Sequence, residues 1–143
     1  MPDSLDRFLT AQAPIYSTVL AELRAGRKQS HWMWFIFPQL RELGRSSNAR
    51  LYGIAGAAEA RAYLAHGTLS QRLRECTQLV LGVDHDDPHR IFGSPDDLKF
   101  GSSMTLFDAV QPGDLFAWAI DRFYAGVRDR QTLDLLAREG AAS

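Results

Sequence analysis

Ten consecutive residues constrain this chain more than any others: Ser30-His31-Trp32-Met33-Trp34-Phe35-Ile36-Phe37-Pro38-Gln39. They contain two of the three tryptophans and two of the eight phenylalanines. Aromatic surface on this scale belongs in the middle of a core or in the wall of a pocket. The apolar run at 32–37 is too short for periodicity to separate a buried strand from a buried helical turn. Ser30 can cap a helix, and Pro38 disfavours α geometry at Phe37, so a helix would close there. The flanking sequence reads as helices, and a short buried helix is the expectation.

The rest of the chain follows helical spacing. Asp3 or Ser4 can cap a first helix bearing Leu5, Phe8 and Leu9. Pro14 suits the start of a second, with Ile15, Val19, Leu20 and Leu23 as its stripe and Gly26 as its end. Residues 39–43 fit one further turn, and Ser46 or Ser47 can cap a short helix through Tyr52. The alanine-rich residues 57–66 fit a helix stopped by Gly67, and Thr68 caps the next, along Leu69, Leu73, Cys76, Leu79 and Val80. Asp87 followed by Pro88 starts a brief helix, and Ser94-Pro95-Asp96-Asp97 starts another. Phe100-Gly101-Ser102-Ser103 is weak helix material and is a place for that helix to break. Leu115, Phe116, Ala119, Ile120 and Phe123 make an amphipathic helix with Trp118 partly buried, and a last helix carries Leu133, Leu135 and Leu136. No β-hairpin signal and no repeat is present. The expected architecture is all-α, one domain over residues 1–143 built as a compact bundle of short helices.

Composition narrows the setting. The net charge is −1, so no global field draws the chain to nucleic acid or membrane, and neither is expected as a partner. Cys76 is the one cysteine, which excludes an internal disulfide and suits a reducing compartment. No basic, apolar leader opens the sequence and no stretch reaches the ~18–20 apolar residues of a membrane helix. A soluble cytoplasmic protein is the expectation. Charge is uneven all the same: residues 21–50 hold six Arg or Lys against two Glu, and residues 83–98 hold five Asp against Arg90. The two segments face each other, are simply solvated, or leave a local anion site in the first.

Four kinds of chemistry are worth weighing against plain structural roles. His31 can fill the core or serve as an acid or base near neutral pH. Trp32 and Trp34 are core anchors or stacking surfaces for a flat ring. Arg27, Lys28, Arg45 and Arg50 are solvated or hold an anion, with Ser46-Ser47-Asn48 offering further donors. Lys99, Ser102, Ser103 and Thr105 form a second polar cluster, where serines in mid-helix break a local rule. No phosphate-loop fingerprint accompanies these residues. The loop Asp84-His85-Asp86-Asp87-Pro88-His89 matches no metal-site spacing, capping explains Asp87, and no metal is expected. Cys76 lies on an apolar stripe and reads as core.

Several motifs carry a resemblance. Gly26-Arg27-Lys28, the central run, Leu43-Gly44, Tyr52-Gly53-Ile54, Ala60-Arg61-Ala62-Tyr63-Leu64, Ile91-Phe92-Gly93, Asp97-Leu98-Lys99 and Ser102-Ser103-Met104-Thr105-Leu106-Phe107 together resemble a bacterial family, the domain of unknown function eighteen-ten. The resemblance implies a small, mainly helical domain and no established reaction or cofactor, with a hint of NAD or ADP-ribose metabolism. The label calpastatin, sometimes attached to such proteins, does not suit a chain that is 45% hydrophobic, because calpastatin is disordered.

The resulting expectation is a pocket between the central block and residues 99–105 that takes a small anionic ligand, such as a nucleotide or an ADP-ribose derivative. Trp34, Arg45, Lys99 and Ser103 would bind it and His31 is the candidate catalytic group. The alternative is a non-catalytic domain that offers an exposed Trp/Phe patch to a protein partner or a second copy.

Overall fold

The computed structural model describes residues 5–142, with side chains through 140. Ten helices follow one another among the described residues: α1 (Asp6–Gln12), α2 (Tyr16–Arg24), α3 (Met33–Ile36), α4 (Ser47–Leu51), α5 (Ala57–Ala65), α6 (Gly67–Leu81), α7 (Pro88–Phe92), α8 (Asp96–Val110), α9 (Leu115–Tyr124) and α10 (Arg130–Ala142). A 3-10 turn, Arg41–Leu43, precedes α4. Among the described residues there is no strand, and Leu40 and Ile54 form an isolated parallel bridge. The all-α expectation holds. The caps expected at Asp3 or Ser4 lie outside the described residues.

Helix α8 is the axis. It packs against α5, α7, α9 and α10, and residues 100–107 are all buried. This corrects the expected break at Phe100-Gly101-Ser102-Ser103: the helix runs through unbroken. A helix enclosed on every side has no polar stripe, and its small residues are where neighbours come closest. Gly101 shows why. A Cβ there would stand 3.1 Å from Cζ of Tyr124, so any larger residue would push the Tyr124 ring back by a few tenths of an ångström. The hydroxyls of the segment turn inward to the helix backbone, Ser102 donating to Leu98 O at 3.3 Å and Thr105 to Gly101 O at 2.8 Å. Ser103 Oγ is buried without a hydrogen-bond partner.

The central block is a helical turn, as expected, and closes at Phe37 before Pro38. Trp32, Met33, Phe35, Ile36 and Phe37 are buried, and Trp34 is half-buried. Phe37, Phe92 and Phe100 form a triangle of rings with centroids 4.7–5.9 Å apart, which ties α3, α7 and α8 together. Buried Gln12 fixes the block from α1 by donating to Phe35 O at 2.7 Å.

Several local expectations are corrected. Ser30 does not cap α3, because its hydroxyl is taken by Glu22. His66, through Nδ1, caps α6 in place of Thr68, and Gly67 opens that helix. Ser94 caps nothing in α8, whose N-cap position is Pro95. Trp118 is 59% exposed, on the outer side of α9. Ser46 and Asp87 do cap α4 and α7.

Candidate functional site

Helix α2 ends where Gly26 takes φ +76°, a left-handed turn that glycine makes without strain. The chain then doubles back past Glu22, which collects the turn. Glu22 Oε1 accepts from the backbone N–H groups of Gln29 (2.7 Å) and Ser30 (2.9 Å) and from Trp32 Nε1 (2.9 Å). Oε2 accepts from Ser30 Oγ at 2.5 Å. Partial burial pushes this carboxyl up, but the four donors outweigh it and hold the group down at about 2. The fully buried indole of Trp32 is thereby satisfied.

Lys28, in the same loop, docks on the far segment. Its backbone N–H donates to Ile91 O at 2.7 Å, and Nζ lies 2.9 Å from Asp96 Oδ2 and 5.2 Å from the centroid of the Trp32 ring. Residues 25–28 of the basic stretch therefore do face the acidic one. Residues 81–86 are stitched down by Arg122 of α9. Its guanidinium donates to the carbonyls of Leu81 and Val83, to His85 O at 3.0 Å and to Asp86 Oδ1 at 2.9 Å.

Between these two docked segments lies a groove of about 620 Å³, lined by residues 25–28, by His85 and by residues 89–93. Apart from Asp84, the acids nearby are already engaged. Asp96 takes Lys28 and Lys99, Asp86 takes Arg122, Asp87 caps α7, and Asp97 accepts from Leu98 N and faces His89. Arg27 and Arg90 are exposed and, among the described residues, have no ion-pair partner. A segment with five aspartates thus contributes to a groove whose uncommitted charge is positive. Arg24 and Asp84 stand at its outer edge with His85.

The five residues singled out in the sequence do not converge. Trp34 and Lys99 do meet, Nζ lying 5.9 Å from the ring centroid, but the hollow they share with Met33, Phe37 and Tyr52 measures about 10 Å³, roughly one water. Ser103 is buried one turn further along α8. Arg45 lies in a separate depression against Gln131, Asp134 and Arg138. His31 is exposed and does not line the groove. The aromatic block itself points inward, so the flat apolar patch required of an interaction surface is not formed by it.

A family model described as "Protein of unknown function (DUF1810)" matches residues 2–136. The chain belongs to that family. It is also similar to a crystal structure of the conserved hypothetical protein Rv1873 from Mycobacterium tuberculosis, with 53% identity over 96% of this chain and 99% of that one, and a TM-score of 0.89. No curated protein matches the chain. Among the described residues no helix is long and apolar enough to cross a membrane, and no group of three or more His, Cys, Asp or Glu is placed to hold a metal ion.

His85 and His89 are visible in the sequence only as parts of a polar loop, and Arg90 only as the cation set against five aspartates. The usable signal was the charge asymmetry. If the two segments face each other and capping uses up the aspartates, the surplus left between them is cationic.

Proposed function

We propose that this protein binds a small phosphate-bearing ligand in the groove between residues 25–28 and residues 85–93. One observation carries the reading: Arg27 and Arg90 come from segments far apart in sequence, line one groove, and are left without carboxylate partners. Guanidinium groups suit phosphate because their donors are planar and paired. The loop bearing Arg27 is held in shape by Glu22 and by the docking of Lys28, so little ordering is needed on binding. The volume, about 620 Å³, is within the range that holds a nucleotide-sized molecule.

The test is a thermal-shift series with inorganic phosphate, pyrophosphate, AMP and ADP-ribose at low and high salt. A ligand present at 100 times its Kd adds about 2.7 kcal/mol of stability. The expected result is a salt-sensitive shift in the parent that Arg27→Glu with Arg90→Glu abolishes, while the unliganded melting temperature stays put. A parent unmoved by all four probes would rule the reading out.

A further inference from the structure

The groove does not end at His85. A second hollow of about 430 Å³ opens beside it, between residues 24–26 on one side and residues 82–85 with Arg90 on the other. Ala25, Gly26, His85 and Arg90 line both hollows. Arg27 lines the first alone, and Arg24 and Asp84 line the second alone, so Arg90 stands where the two join. Packing sets the walls. Gly26 sits against Val83: a Cβ on it would stand 3.7 Å from Val83 Cγ1. Arg122 binds the carbonyls of Val83 and His85, which pins the backbone on both sides of Asp84. Arg24 belongs to the last turn of α2. Among the described residues the side chains of Arg24 and Asp84 have no ion-pair or hydrogen-bond partner, although they share one hollow. Asp84 is the one aspartate of residues 83–98 left in that state.

Three unmatched guanidinium groups across two joined hollows are more than one phosphate calls for, and an unmatched carboxylate beside them is wrong for a bare anion. We infer that the groove takes a sugar diphosphate, its linked phosphates spread over Arg27, Arg90 and Arg24 and its hydroxyls donating to Asp84. This rests on the anion-binding reading above and names the class of ligand. A carboxylate only accepts, so whatever it meets must donate. An ammonium group donates as well, but the three guanidinium groups repel it. A hydroxyl is uncharged and meets no such repulsion. A vicinal pair of hydroxyls matches the two carboxylate oxygens, and acidic side chains take ribose in this way in dinucleotide-binding folds. Asp84 also repels any anion that brings no hydroxyl. It thus gives up some affinity for inorganic phosphates in return for selectivity.

The experiment is calorimetric titration of the full chain, at fixed ionic strength, with inorganic phosphate, pyrophosphate, ADP, 2′,3′-dideoxy-ADP and phosphoethanolamine. Melting temperatures are read on every variant. In the parent, pyrophosphate should bind about tenfold more tightly than phosphate, and ADP about tenfold more tightly than its dideoxy analogue. Arg24→Ala should bring pyrophosphate close to phosphate and leave phosphate where it was. Arg61→Ala removes the same charge from an exposed position on α5 that lines neither hollow, and should leave the gap open. Asp84→Asn should move the probes in opposite senses. Both inorganic anions bind more tightly as a repulsion is lost, and the preference for ADP over its dideoxy analogue disappears. A merely structural role for Asp84 would not separate them. If phosphate binds the parent but pyrophosphate binds no better, or if Arg24→Ala keeps the gap or Arg61→Ala closes it equally, the diphosphate assignment is overturned and the anion groove stands. If the parent does not tell ADP from its dideoxy analogue, if Asp84→Asn still does, or if phosphoethanolamine binds more tightly than ADP, the hydroxyl assignment is overturned. If phosphate does not bind the parent, the groove reading falls and takes the sugar diphosphate with it.

Discussion

Glu22 and Arg27 stand five residues apart, on the two sides of one loop, and their surroundings could hardly differ more. Glu22 has four donors on its two oxygens, and the indole it anchors is wholly enclosed. Arg27 reaches into an open groove, and the acids around it, apart from Asp84, are committed elsewhere. On the inner side every strong group is matched, which stabilises the fold and leaves nothing to react. On the outer side charge is left over beside two imidazoles. Unmatched charge near water costs little, and it is what a ligand can use. The buried aromatic block, so prominent in sequence, is therefore the support of the candidate site, and the site lies in the loops it holds.

The sharpest attack on this contrast is Trp32→Ala. Loss of a fully buried indole should cost about 3–5 kcal/mol in chemical denaturation. A small loss would mean that the inner side is not the anchor. Glu22→Gln comes next, at about 2 kcal/mol near neutral pH, because hydrogen bonds to a charged acceptor are weakened together. Its pH dependence is distinctive. The folded carboxyl is held at about 2, below its ordinary value of 4.5, so its contribution is complete above the higher value and fades as pH falls toward the lower. The stability gap between parent and variant should therefore narrow across that acid window. A gap that stays constant would show that charge is not what holds the loop.

Ser103 is the exception on the buried side, a hydroxyl with nothing to bond. Ser103→Ala should leave stability unchanged or raise it by up to about 1 kcal/mol. A clear loss would reveal a partner and return Ser103 to the list of working residues. The smallest effects belong outside. Arg27→Ala, Arg90→Ala and His31→Gln should each change unfolding free energy by less than about 0.5 kcal/mol. The two arginine variants should also lose the shift given by phosphate, and His31→Gln should keep it. If His31→Gln lost it instead, the ligand would sit closer to the aromatic block than to α7.

Much of the scaffold was present in the order of residues. Apolar spacing of three and four marked α2, α6 and α9, Pro38 marked the end of the buried turn, and Asp87-Pro88 marked the start of α7. These are local effects, set within one turn of helix, and a sequence displays them directly. Tertiary structure decided the rest. Nothing local says that Gly101 is there for the ring of Tyr124, or that a serine-rich stretch is the most enclosed part of the molecule. Nor could spacing tell which of Trp32 and Trp34 would be fully enclosed, since that depended on a carboxylate one helix earlier. The groove is the strongest case. Its charge is what remains after four of the five aspartates have met a cation, a histidine or a helix start, and that remainder exists only once residues from both ends of the pairing are brought together. A sequence records the charges, and folding decides which of them are cancelled.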